Sequence, residues 1–244
     1  MAMPRRPWNS VPIEPRRDPL VPLPPNLLRL EPHPYTALGA PYGPGGSPFQ
    51  LRQEVIDRLL DSQEALQEQQ PDWRLAIFDG WRPLAVQAFM VEHTMLELCR
   101  KRGVDPAETS PAREALTAEV GRFWADPDED PAAPPPHSTG AAVDLTLVDH
   151  RGLPLDMGSA IDAIGAVSSP DHFESVAQGA AKPAQRTWAR GCHRRRRLLR
   201  QVLQQAGFAQ HPNEWWHFSW GDQLWAWSRG EAKACYGRVE PEPG

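Results

Sequence analysis

The sequence predicts an α+β fold: a small, mostly antiparallel sheet with helices packed on one side. Three observations carry this. Trp73-Arg74-Leu75-Ala76-Ile77-Phe78 and Ala141 to Val148 (AAVDLTLV) are apolar runs of strand length, and Glu214 to Trp220 (EWWHFSW) is a short aromatic one. Gln50 to Gln70 and Leu84 to Arg100 instead repeat their apolar residues at helical spacing. Strands near Leu75, Ala142 and Trp215 would gather Arg82, Asp144 and His217 around one cleft.

Proline is abundant, with 28 residues, and concentrated before Pro48, a segment expected to wrap the surface in extended conformation. The expected organisation is a Pro-rich extension over residues 1–33, a single domain over 34–239 and a disordered tail over 240–244. A chain of 244 residues can bury one sizeable core. The helix over Gln50 to Gln70 presents Val55, Ile56, Leu59, Leu60 and Leu66. The strand ending at Phe78 runs into Asp79-Gly80-Trp81-Arg82-Pro83, which places Arg82 on a strand-to-helix turn. The following helix repeats Leu84, Val86, Phe89, Met90, Met95, Leu96 and Leu98 at helical spacing. Pro106 to Trp124 reads as another helix, and Asp126 to Pro136 as an acidic, proline-rich loop. Val167 to Ala189 is a loop or short helix. Arg194 to Arg197 opens an amphipathic helix continuing through Leu198, Leu199, Val202 and Leu203, its arginines forming a solvated face. The ten tryptophans, five of them between Trp215 and Trp227, are expected to wall the cleft and its supporting core.

His137, Asp144 and His217 can hold a zinc ion and leave one coordination position open, the arrangement of a catalytic rather than a structural metal. Bound zinc lowers the pKa of water to about 7. Glu214, three residues before His217, is placed to act as base, and Arg82 can stabilise an oxyanion. The odd spacing of His137 and Asp144 would point their side chains to opposite faces of one strand. His137 therefore belongs in the loop before the strand, as Pro134-Pro135-Pro136 and Gly140 suggest. Asp144, the one charge in an apolar strand, must be paired or bind metal. Glu214 and His217 would also face apart on a flat strand, so a bulge or twist is needed between them.

These motifs together resemble the VanX-type D-alanyl-D-alanine dipeptidases of the zinc D,D-peptidase superfamily, over roughly Pro34 to Trp225. His137, Gly140 and Asp144 match the family's first zinc motif, Glu214-Trp215-Trp216-His217 its last, and Arg82-Pro83 its Arg-Pro after a strand. The resemblance implies His137, Asp144 and His217 as zinc ligands, Glu214 as general base and Arg82 as oxyanion stabiliser. Met157-Gly158-Ser159-Ala160-Ile161-Asp162 matches the segment whose Asp holds the dipeptide's amino group, and Tyr35 resembles the family's substrate-side Tyr. One departure is Pro135-Pro136, standing where the family often has two serines that hold the substrate carboxylate. Proline offers neither hydroxyl nor N–H there.

A net charge of −5 argues against nucleic acid as partner. Three cysteines without metal-type spacing suit a reducing compartment. No segment approaches the ~20 apolar residues of a membrane span, and the N-terminal residues lack the apolar core of a signal peptide, so the expected location is cytoplasmic. Three functions compete. The first is a zinc D,D-dipeptidase acting on D-Ala-D-Ala or similar short peptides, which Asp162 favours. The second is a D,D-carboxypeptidase acting on longer wall peptides. The third is a non-catalytic zinc module, against which Glu214 and Arg82 both speak.

Overall fold

The computed structural model describes residues 6–127 and 129–240 and has the expected α+β architecture. In chain order it forms β1 (Leu20–Pro22), β2 (Leu28–Arg29), α1 (Pro34–Ala37), β3 (Gln50–Arg52), α2 (Gln53–Gln69) and β4 (Arg74–Asp79). There follow α3 (Leu84–Arg102), α4 (Pro111–Phe123), β5 (Ala142–Val148), α5 (His172–Gly179), α6 (Pro183–Gln205), β6 (Ala209–Gln210), β7 (His217–Ser219) and α7 (Gln223–Arg229). Short 3₁₀ turns occupy Pro7–Ser10, Pro136–Thr139 and Ala166–Ser168.

The main sheet has the order β2-β4-β5-β7-β6; β2 and β4 run parallel and the other pairs antiparallel. Strand alternation then decides what each face does. Val143, Leu145 and Leu147 of β5 join Leu75 and Ile77 of β4 and Phe218 of β7 in the main core, under Leu59 of α2 and Leu199 and Leu203 of α6. The intervening residues, Asp144 and Thr146 on β5 and His217 and Ser219 on β7, belong to the opposite face. Every residue of β5 is buried, because helices cover one face and the cleft structure covers the other. A second core, built from Tyr35, Trp81, Val86, Met90, Leu116 and Trp124, packs α3 and α4 beside the turn that carries Arg82.

The helix ends follow local chemistry. Ser110 caps α4 by accepting from Arg113 N–H at 3.2 Å. Helix α3 ends at Gly103, whose φ of 65° is the left-handed conformation that lets the chain turn away, and Arg100, Lys101 and Arg102 sit favourably at the negative end of the helix dipole. Asp222 caps α7 through Trp225 N–H at 2.8 Å.

Several expectations change. Of the expected extension, residues 6–33 are built into the fold rather than laid over it: β2 is a sheet strand, β1 pairs with β3, and Leu23 and Leu27 enter the main core. Most of the tail expected from residue 240, namely 241–244, lies outside the described residues. Gln50–Arg52 is a strand, which delays the start of α2, and α4 begins at Pro111 rather than Pro106, where the Ser110 side chain caps the first turn. The basic helix starts at Pro183, well before the arginine run. Only His217–Ser219 of the aromatic run is strand; Glu214 to Trp216 form a turn leading into it.

Arg196, expected on a solvated face, is only 2% exposed. It donates to Met157 O at 2.8 Å, Ser169 O at 2.8 Å, Val167 O at 3.0 Å and Ser159 Oγ at 3.1 Å, between the rings of Phe173 and Trp215. The guanidinium thus ties together both ends of the loop that carries Asp162. Arg196→Ala is expected to lower the unfolding free energy by about 3 kcal/mol in urea titration, because it strands several buried carbonyls at once. A loss within 0.5 kcal/mol, the ordinary range of a surface substitution, would restore the solvated-face reading.

Candidate active site and metal centre

Strand register builds the first half of the site. Asp144 on β5 pairs directly with His217 on β7, and a bulge in β4 between Ile77 and Asp79 brings Asp79 opposite Asp144. His137 lies in the 3₁₀ turn just before β5, as its spacing from Asp144 required. Gly140 closes that turn at φ 69°, a left-handed conformation in which any side chain is strained, and a Cβ there would also crowd Leu20 Cδ1 at 2.7 Å. The Glu214 to His217 spacing is solved by the turn. The backbone reverses out of β6 through His211 to Trp216, with Trp215 N–H bonded to Ser168 O at 2.9 Å, and becomes strand only at His217.

Donor atoms from three residues converge. His137 Nε2 lies 3.3 Å from Asp144 Oδ2 and 3.2 Å from His217 Nδ1, while His217 Nδ1 lies 3.0 Å from Asp144 Oδ1. A tetrahedral centre with bonds of roughly 2.0–2.1 Å has ligand atoms about 3.3 Å apart, so contacts of this size suit one metal ion held by one atom from each residue. The donor directions agree. His137 Nδ1 is 2.7 Å from Gly80 O, which can only accept, so Nδ1 carries the proton and the lone pair of Nε2 faces the triangle. Asp144 Oδ1 is buried and, among the described residues, has no hydrogen-bond partner despite its short approach to His217, as expected of an atom aimed at a cation. Burial alone would raise the Asp144 pKa, but His137 and then His217 hold it well below the usual carboxylate range. The residues present therefore fit a metal.

The other predicted residues surround this triangle. Glu214 is buried, with Oε2 3.7 Å from His217 Nδ1 and Oε1 3.8 Å from His211 Nδ1. Burial, then Asp144 and Asp162, pushes its pKa well above the ordinary value, while Arg6 and Arg82 pull the other way. Arg82 forms a buried fork with Asp79, from Nε at 2.9 Å and Nη2 at 2.5 Å, and its Nη1 donates to Gln87 Oε1 at 2.9 Å. The fork leaves Arg82 Nη2 3.8 Å from Asp144 Oδ2, so the cation faces the metal group from a locked position. Asp79 is itself held by Tyr42 Oη at 3.2 Å. Asp162 takes a φ of 62°, a left-handed conformation uncommon outside glycine, and accepts from Tyr35 Oη at 2.5 Å. Although the residue as a whole is exposed, its carboxylate faces the cleft, and its pKa is raised to about 6, by desolvation there first and by Asp144 next.

Arg82, His137, Asp144, Asp162, Glu214 and His217 all line one cleft. Tyr35 is not among its walls; it sits behind Asp162 and orients that carboxylate. Of the five clustered C-terminal tryptophans only Trp216 lines the cleft; Trp8 and Trp124 supply the other indoles, while Trp215 and Trp220 belong to the main core. The sequence reading missed Arg6, Trp8, Gln87 and His211 as wall residues. His211 carried a signal, since it lies three residues before Glu214 at the head of the same motif. Arg6 and Trp8 carried none, because nothing local joins them to the site.

The family model Peptidase_M15, described as D-ala-D-ala dipeptidase, matches residues 29–233. A D-alanyl-D-alanine dipeptidase of Synechocystis sp. (strain ATCC 27184 / PCC 6803 / Kazusa) is 42% identical over 247 residues, covering 97% of this chain and 98% of that protein. One of Escherichia coli (strain K12) is 37% identical over 82 residues, covering 34% of this chain and 36% of that protein. A zinc complex of a mutant vancomycin resistance D,D-pentapeptidase, VanY of a VanB-type cassette, aligns with a TM-score of 0.41 and 14% identity over 92% of this chain and 96% of that one. With a family match across most of its length and a relative 42% identical over 97% of it, this chain belongs to the Peptidase_M15 family of D-Ala-D-Ala dipeptidases.

Proposed function

We propose that this protein is a zinc-dependent D,D-dipeptidase that hydrolyses D-Ala-D-Ala or similar short D-amino-acid peptides. The observation that carries the reading is one cleft holding a metal-sized His137-Asp144-His217 triangle, a free-standing carboxylate at Glu214 and a second carboxylate at Asp162. Family membership and the curated relative's name support it.

Bound zinc supplies a Lewis acid and acidifies water. The remaining roles fall to side chains. Glu214 takes the proton of the attacking water and returns it to the departing amine. Its raised pKa, caused chiefly by burial, strengthens it as a base. Arg82, locked by Asp79 and Gln87, offers its charge to the developing oxyanion without having to reorganise. Asp162, oriented by Tyr35, pairs with the substrate's free ammonium. The free thiols Cys99, Cys192 and Cys235 support the cytoplasm as the compartment. Among the described residues, no helix is long and apolar enough to cross a membrane.

An N-acetylated dipeptide offers no cation to Asp162, so a charge-assisted contact worth about 1.5–3 kcal/mol is lost. D-Ala-D-Ala is therefore expected to exceed its N-acetyl form in kcat/KM by at least ~10-fold, and Asp162→Ala to narrow that gap. Equal kcat/KM for the two substrates in the wild type would replace this reading with the D,D-carboxypeptidase one.

A further inference from the structure

Two arginines line the cleft, and they are not equivalent. Arg82 commits Nε and Nη2 to Asp79 and Nη1 to Gln87. Arg6 bonds through Nη2 alone, to Gly121 O at 2.6 Å and Trp124 O at 3.4 Å, both carbonyls at the C-terminal end of α4. Its Nε and Nη1 make no hydrogen bond among the described residues, so part of a planar donor fork remains for a ligand.

Arg6 is fixed where it stands. Its backbone N–H is held by Asn9 Oδ1 at 2.8 Å. Trp8 is buried, with its ring edge-on to His211 at 5.4 Å and against Trp227 at 5.8 Å. Gln223 Nε2 then clamps the strap by donating to Val11 O at 2.6 Å, and Glu14 N–H bonds to Ala234 O at 2.9 Å. The N-terminal strap is thus a wall of the site, presenting a positioned guanidinium.

A free dipeptide carries one ammonium and one carboxylate. Asp162 answers the first. The cleft is otherwise lined by the carboxylates of Asp144, Asp162 and Glu214, which repel the second. Pro135 and Pro136, also on the wall, offer neither N–H nor hydroxyl. With the charge of Arg82 shared with Asp79 and three of its five N–H groups used, Arg6 is the wall arginine that keeps more donors, on Nε and Nη1, for an incoming anion. We propose that Arg6 binds the substrate's terminal carboxylate and so makes the cleft selective for peptides with a free C-terminus. This rests on the dipeptidase reading and deepens it. The charge-assisted fork is of the kind that guanidinium groups make with carboxylates.

The test compares D-Ala-D-Ala with D-Ala-D-alaninamide, whose C-terminus is neutral, using the zinc-loaded full chain. Wild type is expected to prefer the free acid, Arg6→Gln to lower the acid-to-amide ratio of kcat/KM by at least about tenfold, chiefly through KM, and Arg6→Lys to recover part of it. An equal loss on both substrates would assign Arg6 to strap structure alone and overturn the proposal. Calorimetric binding of the same two compounds to Glu214→Gln, with and without Arg6→Gln, reads the contact without turnover. There too Arg6→Gln must cut the preference for the acid, and an unaltered preference overturns the proposal. A wild type that cleaves neither compound refutes the dipeptidase reading, and the binding comparison still decides the role of Arg6.

Discussion

Glu214→Gln is expected to keep its zinc and to lose roughly 10²-fold or more in kcat. The carboxylate stands outside the donor triangle, 3.7 Å from His217 Nδ1, so removing its charge leaves all three ligand atoms in place. Glutamine preserves the volume of a residue that is only 7% exposed, so packing is undisturbed. What it cannot do is accept a proton from water. The loss should therefore fall on kcat with little change in KM, the pattern of an interaction made in the transition state. Near-normal turnover would leave Glu214 a structural role only.

His137→Ala and His217→Ala are expected to abolish stoichiometric zinc and, with it, activity. Each removes one corner of a triangle whose edges are 3.0–3.3 Å. Loss of a mere supporting residue around a metal typically costs 10–100-fold in affinity, and loss of a ligand itself should cost more. Elemental analysis of the purified variants gives the answer. Full zinc occupancy in both would show that the ligand assignment is wrong.

Much of this site could be read from the chain because its signals are local. Asp144 is the one charge in an otherwise apolar strand, and burial makes such a charge conspicuous. Gly140 and three prolines announced the turn that solves the spacing between His137 and Asp144. Glu214 and His217 were harder. Period-two reasoning separated them, and the turn that reconciles them depends on a bond from Trp215 N–H to Ser168 O, a contact distant in sequence. Distance along the chain also hid Arg196. Within a run of four arginines, only the one facing residues 157–169 is buried, and periodicity alone cannot say which loop will be there. Arg6 is the extreme case, bonded to carbonyls 115 and 118 residues away. The Pro-rich N-terminal segment looked like a surface wrap because its strands are two or three residues long, too short to show alternation.

The most direct measurement is the release of D-alanine from D-Ala-D-Ala by the protein carrying one equivalent of zinc, beside the same protein after chelation. The expected result is steady turnover that disappears on chelation, returns with added zinc, and is absent from His217→Ala under identical conditions. A protein that holds one zinc ion at the His137-Asp144-His217 site and still releases no D-alanine would contradict it.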